Sequence, residues 1–280
     1  MSATITREGG ADQLRPVTPH GILSALIDQL HDRLLALDTA LPDDCVSALR
    51  RARALASGLD PYLDRTASPP SDSLRALGQA TLDQDWTDLH RRAQTEFELE
   101  AEMLCGPVEA RFLATLVRMT GAQRVLEIGM FTGYSTLAMA EALPEAGRLI
   151  TLEREPWLAG FARPYFERSG HGHKIDVRLG DATAQLERLA EERAEFDLVF
   201  IDAMKTQYID YYQAVMGGLL AADGTIVVDN TLMQGQSYVG DDPPANGAAI
   251  RAFNEAVASD PRASQVLLPI RDGITLITRR

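Results

Sequence analysis

Asp202, Asp229 and Asn230 are three oxygen-bearing side chains that follow directly on short apolar runs, in Phe200-Ile-Asp202 and Val228-Asp-Asn230. Read as neighbouring strand ends, they bring two carboxylates and an amide together. That all-oxygen set suits Mg²⁺, with Mn²⁺ or Ca²⁺ as alternatives. Two close carboxylates repel unless a cation or a proton lies between them. Lys205 follows Asp202 by three residues, so a first helical turn points both side chains the same way. Beside a divalent ion a lysine is pushed toward its neutral form and can act as a base. Each group also has an ordinary use. Asp-Asn after a strand is a common turn or cap, and a lysine is commonly a solvated surface residue. The chain shows neither a Cys/His spacing for zinc nor a His-x-x-x-His pair.

A second constellation lies upstream. Arg124-Val-Leu-Glu-Ile-Gly-Met-Phe-Thr-Gly-Tyr-Ser135 reads as a buried strand, a glycine turn and a helix start. Gly129 and Gly133 are spaced Gly-x-x-x-Gly, unlike the Gly-x-Gly-x-x-Gly of dinucleotide enzymes. Glycines here let a ligand approach the backbone, and a helix N-terminus favours its negative groups. Glu127, placed at the mouth, would repel a pyrophosphate and welcome a cation. S-adenosylmethionine (SAM), with its sulfonium, amine and carboxylate, matches that combination. An ordinary strand-to-helix turn is the competing reading. Glu153, 24 residues after Gly129, stands where an acid accepts ribose hydroxyls. Asp181 and Ala182 end a third strand, where a carboxylate and free backbone can hold an adenine amine.

The elements that must position these groups form an alternating pattern from about residue 107. Apolar strand candidates are 124–128, 148–152, 175–179, 198–201, 225–228, 265–269 and 274–278. Helical stretches separate the first five, which implies a parallel sheet covered on both faces. Ile270-Arg-Asp-Gly273 joins the last two as an antiparallel hairpin. The fold class is therefore α/β: a Rossmann-like, seven-stranded, mostly parallel sheet with a C-terminal hairpin. Residues 1–95 read as an N-terminal helical extension, a lid or oligomer interface, and 96–280 as the catalytic domain. Within the extension, residues 1–17 read as a polar, mobile stretch. Helices are expected over 22–37, 43–57 and 73–80, with a charged helix over 83–103.

Composition bounds the rest. A formal net charge of −13 argues against a nucleic-acid partner, which needs a basic face. Hydrophobic content of 45% without a run near ~18 apolar residues gives no membrane span. Two cysteines and no signal-peptide pattern at the N-terminus fit a cytoplasmic protein.

The chain resembles the cation-dependent O-methyltransferases related to caffeoyl-CoA and catechol O-methyltransferases. The resemblance rests on Val125–Ser135, Phe200–Lys205, Val228–Asn230 and Leu268–Leu276, and more loosely on Met103–Leu113, covering about 100–280. It implies that Glu127, Gly129, Phe131, Ser135 and Glu153 hold the methionine and ribose parts of SAM. By the same matching Asp181 and Ala182 border the adenine, Glu109 lies near the cofactor, and Asp202 serves cofactor and metal alike. Asp202, Asp229 and Asn230 would carry the metal and Lys205 would be the general base. Met204 stands where a second acid is frequent and is expected to pack on the cofactor; Cys105 is at most a minor contact. A narrower resemblance, on Arg15–Leu23, Leu59–Asp64 and Asp229–Gln236, is to the O-methyltransferases of mycosporine biosynthesis. It implies conversion of demethyl-4-deoxygadusol to 4-deoxygadusol; a homodimer is expected, with the extension as part of a lid or dimer interface. Gln234, Gln236 and Tyr238 are candidates to face the acceptor. The competing functions are a catechol or caffeoyl-type methyltransferase, a nicotinamide oxidoreductase on a related sheet, and a non-catalytic SAM-binding scaffold.

Overall fold

The computed structural model describes residues 14–36 and 42–280. Its sheet contains β1 (Arg124–Ile128), β2 (Arg148–Glu153), β3 (Ile175–Leu179), β4 (Phe196–Ile201), β5 (Leu220–Val228), β6 (Ala263–Leu268) and β7 (Ile274–Arg279). The order is β3-β2-β1-β4-β5-β7-β6, parallel through β5, with β7 antiparallel to both of its neighbours. The seven expected strands and the terminal hairpin are all present. Strand order reverses between β1 and β4, which opens a crevice beyond their carboxyl ends.

The described chain opens with α1 (Pro19–Leu35), α2 (Asp43–Thr66), α3 (Asp72–Asp83) and α4 (Trp86–Arg91). They are followed by α5 (Gly106–Thr120), α6 (Tyr134–Ala142), α7 (Pro156–Ser169), α8 (Ala182–Glu191), α9 (Tyr208–Ala214) and α10 (Ala245–Ala258). Because side chains alternate along a strand, the central strands feed two cores. Leu126, Ile128, Val199, Ile201, Ile226 and Val228 pack on one face with Leu186 and Leu189 of α8, Tyr208 and Tyr212 of α9 and Phe253 of α10. Val125, Leu198, Phe200 and Val227 pack on the other with Leu113 and Val117 of α5 and Met139 of α6. Buried on both faces, these strands read as continuous apolar runs rather than alternating ones.

The extension departs from expectation in three places. Helix α2 runs nine residues past the expected Ser57, carrying Pro61 inside it. The expected helix over 83–103 is interrupted: α4 ends at Arg91, and Ala93 takes a φ of +54°. Beyond it, Glu155 Oε1 accepts from the backbone N–H groups of Glu96 and Phe97 at 2.7 and 2.8 Å, holding that stretch out of the helix. Tertiary hydrogen bonding here overrides the helical propensity of a Glu-rich segment. Finally, Leu74, Leu77, Leu82, Trp86 and Leu89 of α3 and α4 share a core with Met130, Tyr134, Leu158 and Phe166. Residue 95 is therefore not a packing boundary. The polar stretch expected over 1–17 lies outside the described residues except for its last four. No helix among the described residues is long and apolar enough to cross a membrane.

Candidate active site

Each strand end is fastened to its neighbour by one further backbone bond beyond the sheet. Gly129 N donates to Leu152 O, Asp202 N to Ile128 O, Asp229 N to Ile201 O and Gly180 N to Glu153 O, all at 2.9–3.0 Å. The register Ile128↔Ile201↔Val228 then makes Asp202 and Asp229 adjacent. A cavity of about 590 Å³ opens above these ends, lined by Gly129, Phe131, Glu153, Asp181, Ala182, Asp202, Lys205, Asp229, Asn230 and Glu109 among others. Ten of the twelve expected site residues, which the sequence scatters over about 120 positions, thus meet at one cavity; Glu127 and Ser135 do not line it.

Its inner end is electrostatically unfinished. Asp229 is buried and its Oδ1 has no hydrogen-bond partner. Burial first, then the neighbouring Asp202 carboxylate, raises the Asp229 pKa above the usual range. Glu109 is likewise buried, with Oε1 unpartnered and Oε2 3.3 Å from Arg271 Nε. Burial and the Asp229 charge hold its pKa well above the ordinary carboxyl value. A buried carboxylate oxygen without a donor calls for a cation, and the donors at hand, two carboxylates and the Asn230 amide, are all oxygen. Among the described residues no three His, Cys, Asp or Glu side chains form a closed cage. Two carboxylates and an amide instead suit an ion such as Mg²⁺ that keeps open positions for water or substrate. Asn230 takes a φ of +57°, a left-handed conformation at the point where its amide joins the set.

Lys205 Nζ donates to Asp202 Oδ1 and to Tyr208 Oη, both at 2.8 Å. Although burial pulls its pKa down, Asp202, Tyr208 and Asp229 together raise it above the ordinary lysine value. The protein's own charges thus hold Lys205 as an ammonium; the drift toward neutrality is expected of a lysine beside a divalent cation. Such a drift needs a cation on Asp202. Tyr208 was not singled out from the sequence; its signal is its place three residues beyond Lys205 on the same turn. Arg271 and Asp272 were also missed. Arg271 bridges Glu109 and Leu104 O, and Asp272 accepts from Gln234 N at 2.5 Å.

The glycine turn works differently from the sequence reading. Glu127 is not at the mouth. It is fully buried beneath the turn, where its carboxylate accepts from the hydroxyls of Ser135 at 2.6 Å, Thr151 at 2.7 Å and Thr136. The carboxylate and Ser135 brace the turn from below and line no part of the cavity. The glycines are required by packing. A Cβ on Gly129 would lie 2.0 Å from Asp202 O, and one on Gly133 would lie 2.5 Å from the Phe166 ring. Gly129→Ala should therefore drive β1 and β4 apart, destabilising the fold by more than about 3 kcal/mol and sending the protein to the insoluble fraction. Gly133→Ala, opposed by a side chain at φ +83°, should remain soluble with a lowered melting temperature.

Burial pushes the Glu127 carboxyl up to about 7, against the pull of its three hydroxyl partners. A raised folded pKa means the stabilising protonated form is fully present below about pH 4.5 and is lost as pH rises through about 7. The melting temperature of Glu127→Gln relative to wild type should climb between those values and level off above them. The full swing corresponds to about 3 kcal/mol. A flat difference across a pH series of thermal melts would show that Glu127 stays ionised throughout.

Glu153 lines the cavity while its oxygens accept four backbone N–H groups, from Met130, Phe131, Arg154 and Glu155. Asp181 caps α8 by accepting from Ala184 N. Met204 and Gln234 line the cavity, as does the buried Cys105. Gln236 and Tyr238 do not: Gln236 lies against Gly247, and Tyr238 is 59% exposed.

The chain matches the family described as O-methyltransferase over residues 81–280. It is 40% identical over 183 residues to tricin synthase 1 of Oryza sativa subsp. japonica, covering 61% of this chain and 72% of that one. It is 38% identical over 182 residues to caffeoyl-CoA O-methyltransferase 2 of Zea mays, covering 61% and 68%. Among solved structures, the SAH-bound Podospora anserina methyltransferase PaMTH1 superposes with a TM-score of 0.69 at 26% identity, over 87% of this chain and all of that one. The Bacillus cereus O-methyltransferase in complex with SAH gives 0.65 at 27%, over 80% and 97%.

Proposed function

Because the chain belongs to the O-methyltransferase family, we propose that its cavity holds SAM beside a small acceptor with two adjacent oxygens, one of which receives the methyl group. The observation that carries this reading is the buried, unpartnered Asp229 carboxylate beside Asp202 and Lys205, at one end of a cavity whose other wall carries Glu153 and Asp181. Glu153 and Asp181 take the ribose and adenine side, Ala182 and Phe131 flank them, and Gly129 lies under the methionine part. SAH in two of the solved relatives supports that assignment. Family membership removes the nicotinamide oxidoreductase alternative.

Asp202, Asp229 and Asn230 are the residues that would hold a divalent cation, Mg²⁺ first; it would supply charge for a developing oxyanion and relax the hold of Asp202 on the Lys205 proton. Lys205 Nζ is then the amine placed to take the acceptor's hydroxyl proton, with Tyr208 Oη orienting it. Holding donor and acceptor in line accounts for about 7–11 kcal/mol of barrier lowering in well-oriented systems. Lys205→Ala should lower kcat at neutral pH by tenfold or more, and a smaller loss would remove its role as base.

The acceptor we favour is demethyl-4-deoxygadusol, whose adjacent enol and ketone oxygens chelate as a catechol does. The names of the plant relatives favour an aromatic vicinal-oxygen acceptor instead. Incubation with SAM and Mg²⁺ of demethyl-4-deoxygadusol beside a catechol panel, read by gain of one methyl mass, decides between them. Full activity after EDTA treatment would sink the metal assignment. The extension supplies a wall of the cavity through Arg15, Val17 and Thr18. Exposed leucines on α1 and α2, Leu26 and Leu55 among them, support a homodimer, which sedimentation would test.

A further inference from the structure

The cavity has a pronounced imbalance: among the described residues ten acidic side chains line it against four basic ones. Every one of those cations is already engaged. Arg15 pairs with Glu100 at 2.5 Å, Arg154 with Glu96 at 2.8 Å, Lys205 with Asp202 at 2.8 Å and Arg271 with Glu109 at 3.3 Å. At the inner end, Asp229 Oδ1 and Glu109 Oε1 remain buried and unpartnered. A divalent ion and a sulfonium would neutralise that end but would not reach the rim.

The rim carries its own acids. The segment Thr95-Glu-Phe-Glu-Leu-Glu-Ala-Glu102 places Glu98, Glu100 and Glu102 on the cavity wall. The loop that leaves the Asp229–Asn230 pair has no lysine or arginine before α10. The first cation after it, Arg251, spends its guanidinium on the carbonyls of Ser237 and Gly240. A phosphorylated acceptor would meet carboxylates on approach and, among the described residues lining the cavity, find no free guanidinium or ammonium to receive it.

We propose that the acceptor of this enzyme is a vicinal-oxygen molecule with no anionic group away from its two chelating oxygens, and that the acidic mouth rejects acceptors that carry one, coenzyme A thioesters most strongly. This rests on the methyl-transfer reading given above. It separates this chain's substrate class from that named for the caffeoyl-CoA relatives, and demethyl-4-deoxygadusol, whose one acidic group is the chelating enol itself, falls on the permitted side. The attraction for cations and the repulsion of anions act across solvent, so both should weaken as salt shortens their range.

The test uses the full chain with saturating SAM and Mg²⁺ and four acceptors: dopamine, 4-ethylcatechol, 3,4-dihydroxyphenylacetate and caffeoyl-CoA. At low ionic strength kcat/KM should be highest for the amine, at least tenfold lower for the carboxylate and lowest for the thioester. The amine-to-carboxylate ratio should shrink severalfold in about 0.5 M salt. Glu98→Lys, at an exposed rim position, should narrow the same ratio at least threefold. Equal or better turnover of the carboxylate or the thioester overturns the proposal, as does a ratio indifferent to both salt and Glu98→Lys. SAM binding by calorimetry without methylation of any of the four or of demethyl-4-deoxygadusol would instead overturn the vicinal-oxygen reading itself, and this proposal with it.

Discussion

Asp229→Asn should abolish most methyl transfer while raising the melting temperature of the metal-free protein. In the folded chain the Asp229 carboxylate is removed from water, has one oxygen without a donor, and faces the Asp202 carboxylate. Asparagine keeps the shape and the backbone bond to Ile201 O while removing the charge. Relief of an unsatisfied buried charge is worth about 1–3 kcal/mol, or roughly 2–10 °C for a chain of this size. Activity should fall by about 10²–10³, the scale set by losing one preorganised charge partner in a transition state. Melts in EDTA and in Mg²⁺ at about pH 8 provide the check. Mg²⁺ should raise the wild-type midpoint and leave that of the variant in place, because only the former binds the ion. A variant that melts lower than wild type in EDTA would mean that Asp229 has a structural partner and the electrostatic account of the site is wrong.

The same residue marks what sequence pattern can and cannot reveal. Strands β1, β4 and β5 were legible because burial on both faces leaves them as unbroken apolar runs, and their polar successors stand out at once. That Asp202 and Asp229 are neighbours is, from sequence alone, an assumption about strand order; the order and register that establish it are displayed by no spacing along the chain. Glu127 was misread for a related reason. It lies directly across from Thr151 on β2 and under Ser135 and Thr136 on α6, so three hydroxyls claim a carboxylate that in sequence looks free. The hydroxyl pair Ser135-Thr136 in the first turn of the following helix was the available signal. The Glu-rich stretch 95–102 looked helical because its propensity is helical. Its conformation is set by Glu155, some sixty residues later, and by Arg15, some eighty residues earlier. The Arg271–Glu109 bridge spans still more of the chain, from the hairpin turn to the first turn of α5.

Glu153→Gln, a conservative change on paper, should be among the most damaging substitutions in the protein. Glu153 Oε2 accepts from Met130 N at 3.2 Å and Phe131 N at 2.9 Å, and Oε1 accepts from Arg154 N at 2.7 Å and Glu155 N at 2.8 Å. An ionised carboxylate offers about four acceptor sites and no donor, which matches four converging N–H groups. Burial raises its pKa, and those same four bonds pull it back down. A glutamine in either orientation turns an NH₂ toward two of the N–H donors. Two charge-assisted bonds are then lost and replaced by donor–donor contacts, destabilising the fold by about 2–4 kcal/mol. The Phe131 φ of +50°, held in part by Glu153, loses its restraint as well. Glu153→Ala removes the acceptor but opens space beside the cavity, so water can reach the same N–H groups. The glutamine variant should therefore melt below the alanine variant, and both should bind SAM about a hundredfold more weakly. Calorimetric titration with SAM and paired melts measure both effects. A glutamine variant more stable than alanine would show that the turn tolerates an amide and that Glu153 contributes through packing rather than through its four accepted bonds.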